Sequence, residues 1–164
     1  MRIITALVLL AGCSSDTDLS GVYRVDLDVD SMPCGNDQPA AMSPAYIKFN
    51  KVDFFGQTTF SFQTCDDAAG TNCMSGGLFF GFFSEPIDNG WRGEVTTSSG
   101  GGTSCALSYQ NDTAILTGAK VVVEHNNYGD ILTLPDAQCT TDEAGKRGTS
   151  MTCKEHERIE ATKM

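Results

Sequence analysis

Short apolar runs that alternate residue by residue with polar ones set the strongest limit on what this chain can fold into. Tyr23, Val25, Leu27 and Val29 alternate with Arg24, Asp26, Asp28 and Asp30, which is a period of two and predicts a strand with one wet face. Ala45, Ile47 and Phe49 repeat the pattern, as do Thr58, Phe60, Phe62 and Thr64. Further strands are expected over 91–97 and at Cys105, Leu107 and Tyr109, with Asn111-Asp112 turning the chain into a strand over 114–117. Val121, Val123 and His125 share the face of the next, and Ile131 to Leu134 forms a short one ending at Pro135. Turn-forming clusters separate them, and 17 glycines in 164 residues suit many turns. The expected fold is all-β: a single antiparallel meander barrel or β-sandwich of about eight to ten short strands. Residues 154–161 contain good helix formers but offer almost no apolar face. A final strand beside the first is preferred there, because closure removes two exposed edges.

The amino terminus carries an address. Met1-Arg2 supplies a positive charge, residues 3–10 are apolar, and Ala11-Gly12 leads to Cys13. This is the layout of an export signal, and at about 1.5 Å of rise per residue the run is too short to span a bilayer. Leu10-Ala11-Gly12-Cys13 resembles the lipobox of bacterial prolipoproteins. The resemblance implies cleavage before Cys13, a diacylglycerol thioether on its sulfur and an acyl chain on its amine. Residues 1–12 are then a signal peptide, 13–18 a lipidated polar tether and 19–164 the β domain. Ser14, rather than aspartate, follows the lipidated cysteine, which in the enteric branch of that family implies the outer membrane. Several acyl chains, palmitate among them, would hold the protein stably at the envelope.

Export also explains the other cysteines. Seven cysteines less Cys13 leave Cys34, Cys65, Cys73, Cys105, Cys139 and Cys153, an even set that predicts a disulfide-braced domain. Cys65 and Cys73 flank a turn-rich loop and are expected to pair, as are Cys139 and Cys153, which leaves Cys34 with Cys105. Structural zinc is the competing reading, but the chain has no Cys-x-x-Cys and only two histidines.

Leu19-Ser20-Gly21-Val22-Tyr23 is similar to the Gly-x-Trp opening of lipocalin-like barrels, with Tyr23 in place of tryptophan. The resemblance implies a meander barrel, a late basic residue (Arg158) over the Tyr23 ring and a small apolar ligand in a calyx. Leu78, Phe79, Phe80, Phe82 and Phe83 put large apolar groups on both faces of one segment. Together with Phe60, Phe62 and Trp91 they form either a doubly covered strand or a ligand or partner patch.

The net charge is −10, from 11 basic and 21 acidic residues, which argues against nucleic acid and against a basic surface for anionic lipid. No cofactor or metal motif is found. Asp26-x-Asp28-x-Asp30 opens like a calcium loop, but Ser31 stands where glycine is needed and Asp37 where a bidentate glutamate is needed. Gly100-Gly101-Gly102 reads as a loop, and Asp66-Asp67 as a solvated turn. His125 and His156 read as structural or solvated. Two expectations of function stand side by side: a binding module for an apolar ligand, glycan or protein, and a structural lipoprotein docking an envelope complex. An interior cavity lined by Phe60, Phe62, Phe80 and Trp91 would favour the first, and a filled core with residues 78–83 exposed the second. An enzyme would need a cleft gathering a histidine with a carboxylate of raised pKa.

Overall fold

A computed structural model of the chain describes residues 17–75, 82–101 and 104–164. The export signal, Cys13, Gly102 and the trio Leu78, Phe79 and Phe80 lie outside the described residues. The strands are β1 (Gly21–Ser31), β2 (Gln38–Pro39), β3 (Tyr46–Phe54), β4 (Gln57–Cys65), β5 (Cys73–Ser75), β6 (Phe82–Phe83), β7 (Glu85–Ile87), β8 (Gly90–Gly101), β9 (Ser104–Thr117), β10 (Lys120–Leu132) and β11 (Cys153–Lys163). One short helix, α1 (Thr141–Arg147), precedes β11.

The sheet is antiparallel and curls into a half-barrel, in the order β5-β4-β3-β1-β11-β10-β9-β8-β7. The last strand lies between β1 and β10, as the closure argument expects. β6 pairs with Phe60 and Ser61 of β4, and Ser84 N–H just beyond it donates to the Arg92 carbonyl of β8 at 3.0 Å. This segment therefore links the two arms of the sheet. It runs so close to β8 that a Cβ on Gly93 would sit 2.8 Å from the Phe82 carbonyl oxygen.

Three expectations about the strands are corrected. Asn111-Asp112 does not turn the chain: β9 runs straight through, with Asn111 and Asp112 laddered to Glu94 and Gly93 on one side and to Asn126 and His125 on the other. Pairing on both sides satisfies that backbone without a bend. Residues 131–132 are the tail of β10 rather than a separate strand, because the ladder with β9 continues to Leu132. Most consequential, β1 does not keep one wet face. A bulge between Val25 and Leu27 breaks the alternation, leaving Leu27 43% exposed and turning Asp28 inward. With a side-chain period of two, a single extra residue exchanges the faces.

The apolar core fills one end of the barrel. Tyr23, Phe49, Phe62 and Phe83 meet edge to face around Phe49 with centroids 5.4–5.8 Å apart, and Phe60 meets Trp91 at 5.0 Å. A second cluster lies on the opposite face of the sheet, where Cys105, Leu107 and Tyr109 of β9 are covered by Ala144 of α1 and by Met151.

Disulfides join Cys65 to Cys73, as expected, but also Cys34 to Cys153 and Cys105 to Cys139. The expected Cys139–Cys153 and Cys34–Cys105 pairs are wrong because the stretch between Cys139 and Cys153 is not a simple loop. Thr140 caps α1 by accepting from Glu143 N–H at 3.2 Å, and Arg147 bridges back to Glu143 at 2.8 Å. With α1 packed on β8 and β9, Cys139 reaches Cys105. The β1–β3 connection reaches Cys153 at the start of β11.

Candidate functional site

The registers stack the lumen side chains into layers. One layer carries Trp91, Ala114, Val123, Ile159 and Asp28 across β8, β9, β10, β11 and β1. The next carries Gly93, Asp112, His125, Glu157 and Asp30. Beyond it lie Val95, Gln110, Asn127 and Glu155. Apart from Asp28 at its β1 edge the first layer is apolar, and the wall turns polar within one pleat.

The polar layers are closed to solvent: Asp112, His125, Gln110, Glu155 and Glu157 are all buried, and so is Asp28. His125 Nδ1 lies 2.7 Å from Asp112 Oδ1, and the Gln110 amide donates to Asp112 Oδ2 at 2.7 Å. A carboxylate only accepts, so this contact assigns the proton to Nδ1 of His125. The Asp112 carboxylate is spent on holding the ring.

Glu157 faces His125 directly across the β10–β11 ladder and is 6% exposed. Burial pushes its carboxyl up to about 7; Asp28 adds to the rise, His125 opposes it, and Glu155 and Asp30 add again. Burial also raises the Asp28 carboxyl, with a partial offset from the Ser43 hydroxyl and a further rise from Asp30. The Ser43 hydroxyl also lies 3.5 Å from the Pro44 carbonyl, so its contact with Asp28 is at best shared. Apart from that Ser43 contact, no hydrogen bond reaches either oxygen of Asp28, and none reaches Oε2 of Glu157. The nearby cation Arg158 is on the other face, paired with Glu124 at 2.9 Å and Glu160 at 2.8 Å.

Chemically, this layer can hold and release a proton near neutral pH. A carboxyl of raised pKa does sit beside a histidine, but the groups are buried rather than gathered in a cleft, so no catalytic step follows from the arrangement. Of the cluster, the alternation indicates the inward place of His125 alone, on the Val121–Val123 face; Asp28 and Asp30 stand out in the sequence only as the opening of a calcium-like loop. Asp28 was hidden by the bulge, and Asp112 by the turn expected around it.

The residues singled out as a ligand or partner patch divide. Phe60, Phe62, Phe83 and Trp91 come together in the core and fill it, while Phe82 points outward and is 60% exposed. Arg158 does not cover Tyr23: Lys163 does, with Nζ 5.7 Å from the ring centroid. Lys163 pairs with Tyr23 across the β1–β11 ladder, whereas Arg158 lies well along the strand opposite Val29. Asp67 is no idle turn residue, because its carboxylate accepts from Thr71 N–H at 3.2 Å and from Asn72 N–H at 2.6 Å. His156 lies 3.7 Å from Asp37. No family model matches the chain, and no curated protein or solved structure matches it either.

Proposed function

We propose that this chain is a lipoprotein of the bacterial envelope, held by acyl chains on Cys13, whose β domain docks a protein or glycan partner through its outer surface. The observation that carries this reading is the way the chain enters the fold. Leu19 is fully buried in the aromatic core, the Trp91 indole N–H donates to the Thr17 carbonyl at 2.7 Å, and the Tyr23 hydroxyl donates to the Leu19 carbonyl at 2.8 Å. The polypeptide is therefore fixed from Thr17 onward. Three residues separate Thr17 from Cys13, four steps of the chain and a reach of about 14 Å at most. A lipid on Cys13 would hold the barrel mouth against the bilayer, with the outer faces turned to the envelope space.

The filled aromatic end supports docking by the outer surface over capture of an apolar ligand inside, since Leu19 and the packed rings occupy the space a calyx would need. Phe82, 60% exposed on the strand that links the arms, offers an apolar group to a partner.

The test is Cys13→Ala in the producing cell. Wild type is expected to take up labelled palmitate and to fractionate with the outer membrane, while the variant takes up none and is soluble. Membrane retention of the variant would overturn the anchor. In the anchored protein, Phe82→Ser is expected to remove envelope crosslinks without changing the melting temperature. An unchanged crosslink pattern would overturn docking at that strand.

A further inference from the structure

The end of the barrel from which the tether leaves carries one turn whose residue type works against the fold. The β3–β4 hairpin turns at Phe55 and Gly56, both with positive φ, 48° and 80°. A two-residue turn of this kind favours Asn-Gly, because a bulky side chain in the left-handed region is strained. Phe55 is also 93% exposed at the tip. A large aromatic ring that is unfavourable there both by conformation and by exposure marks a position where something other than folding sets the residue.

The arm that carries Phe55 projects from the sheet. β3 pairs with β1 only as far as Phe49, opposite Gly21, and then runs on to Phe54. β4 meets β6 at Phe60 and Ser61, and β5 from Gln63 onward. Among the described residues, 52–54 and 57–59 therefore ladder only with each other. At about 3.3 Å per residue, the run from Phe49 to Phe54 carries the tip about 17 Å past the Gly21–Phe49 pair. A two-stranded ribbon is marginal in water by itself, and Val52, 38% exposed, adds to its apolar surface.

What faces this arm follows from where the chain enters the fold. β1 begins beside it, and the β7–β8 and β9–β10 turns stand at the same end: Leu116 N–H donates to the Asn89 carbonyl at 2.8 Å, and Lys163 N–H to the Ala119 carbonyl at 2.7 Å. Thr17 is held by Trp91 at this mouth, and Cys13 lies within about 14 Å of it along the chain. A bilayer that holds Cys13 therefore stands no farther from the mouth than the arm is long. The rim does not repel anionic headgroups. Among the described residues its turns and strand ends carry exposed Lys51, Lys120 and Lys163 against Asp18, Asp53 and Asp88, an even balance in a chain of net charge −10. Lys51 and Lys163 lie near Asp18, where the tether enters, and no ion pair among the described residues uses either.

We propose that this rim seats on the bilayer: Phe55 and Val52 of the β3–β4 arm enter the boundary between headgroups and acyl chains, while Lys51 and Lys163 reach lipid phosphates beside the tether. The proposal rests on the lipoprotein reading, since it is the short lipidated tether that brings the arm to the membrane. The contact fixes the orientation of the domain, which a tether alone would leave free to tumble.

The experiment places the acylated full chain in vesicles of phosphatidylethanolamine and phosphatidylglycerol whose acyl chains carry bromine, and reads indole fluorescence in wild type, Phe55→Trp and Met42→Trp. Met42 is as exposed as Phe55 but lies between β2 and β3, at the opposite end. Bromine is expected to quench Phe55→Trp at least about threefold more than Met42→Trp or wild type, whose Trp91 is buried. Mass spectrometry of the same sample reports the acyl chains. An acylated protein in which Phe55→Trp is quenched no more than Met42→Trp would overturn the contact and leave the anchor standing. A chain without acyl groups would overturn the anchor and the contact with it. A blue-shifted but unquenched indole in a protein that sediments as a dimer would put the tip against a second copy and overturn the membrane contact. Phe55→Asn, which suits the left-handed turn, is expected to melt no lower than wild type; a lower melting temperature would make the ring part of the fold and overturn the proposal.

Discussion

At Ala114, Val123 and Ile159 the wall of the lumen is apolar; one pleat further along the same three strands, at Asp112, His125 and Glu157, it is polar and buried. The first end is held by ring contacts centred on Phe49, the second by one satisfied pair and several carboxylates that repel one another. The strand ladders are equally continuous through both. The difference shows that backbone pairing alone does not decide where this domain is stable. The apolar end supplies net stabilisation through burial, and the polar end spends part of it on groups that water would hold better.

Removing the bond that ties the loop over the polar end should have the largest effect. Cys34 and Cys153 are 119 residues apart, whereas Cys65 and Cys73 are 8 apart. On chain-entropy grounds the first bond contributes about 5 kcal/mol and the second about half of that. Denaturant unfolding of the two double Cys→Ser variants checks the order, and equal losses would mean the polar end does not depend on its staple. At the apolar end, Phe49→Ala should cost about 3–5 kcal/mol, with the same loss at pH 5 and pH 8, because burial pushes Tyr23, the titratable ring of the cluster, up to about 12 and it keeps its proton throughout. A loss that changed with pH would mean the two ends are coupled.

Glu157→Gln should act in the opposite direction and only above acid pH. The Glu157 carboxyl rises from 4.5 to about 7 on folding. Below about 4.5 it is protonated in both states and costs nothing. Between there and about 7 the unfolded chain ionises while the folded one keeps its proton, so stability falls as pH rises, by about 3 kcal/mol in full. The variant should therefore be more stable than wild type at pH 8 and equal to it at pH 4, which paired melts will show. The smallest effect is expected at the bulge: Leu27→Ser should change stability by no more than about 0.5 kcal/mol, since that side chain is already in water. A large loss would restore Leu27 to the core and return Asp28 to the surface.

The β character, the strands at 23–30, 47–49 and 58–64, the pairing of the last strand with the first and the Cys65–Cys73 bond were all legible in the sequence, because alternation and turn composition are local signals. The long-range bonds were not, because which cysteine meets which depends on where α1 packs. Its signal was present in Thr140-x-x-Glu143 followed by Lys146, Arg147 and Gly148, a capping pattern inside a stretch that reads as loop by composition. The polar layer was the least legible feature. Asp28 reaches it through a bulge that no residue type announces, and Asp112 through a ladder that overrides a strong turn pair at Asn111-Asp112. Local preference yields where both neighbouring strands supply partners.

The most direct test of a buried, uncompensated carboxylate layer is the titration of Glu157 itself, followed through its side-chain carboxyl carbon by NMR and assigned with Glu157→Gln. The account predicts a midpoint of about 7, moving down when Asp28 is replaced by asparagine. A midpoint at the ordinary glutamate value, indifferent to Asp28, would show that the layer is open to water and would contradict it.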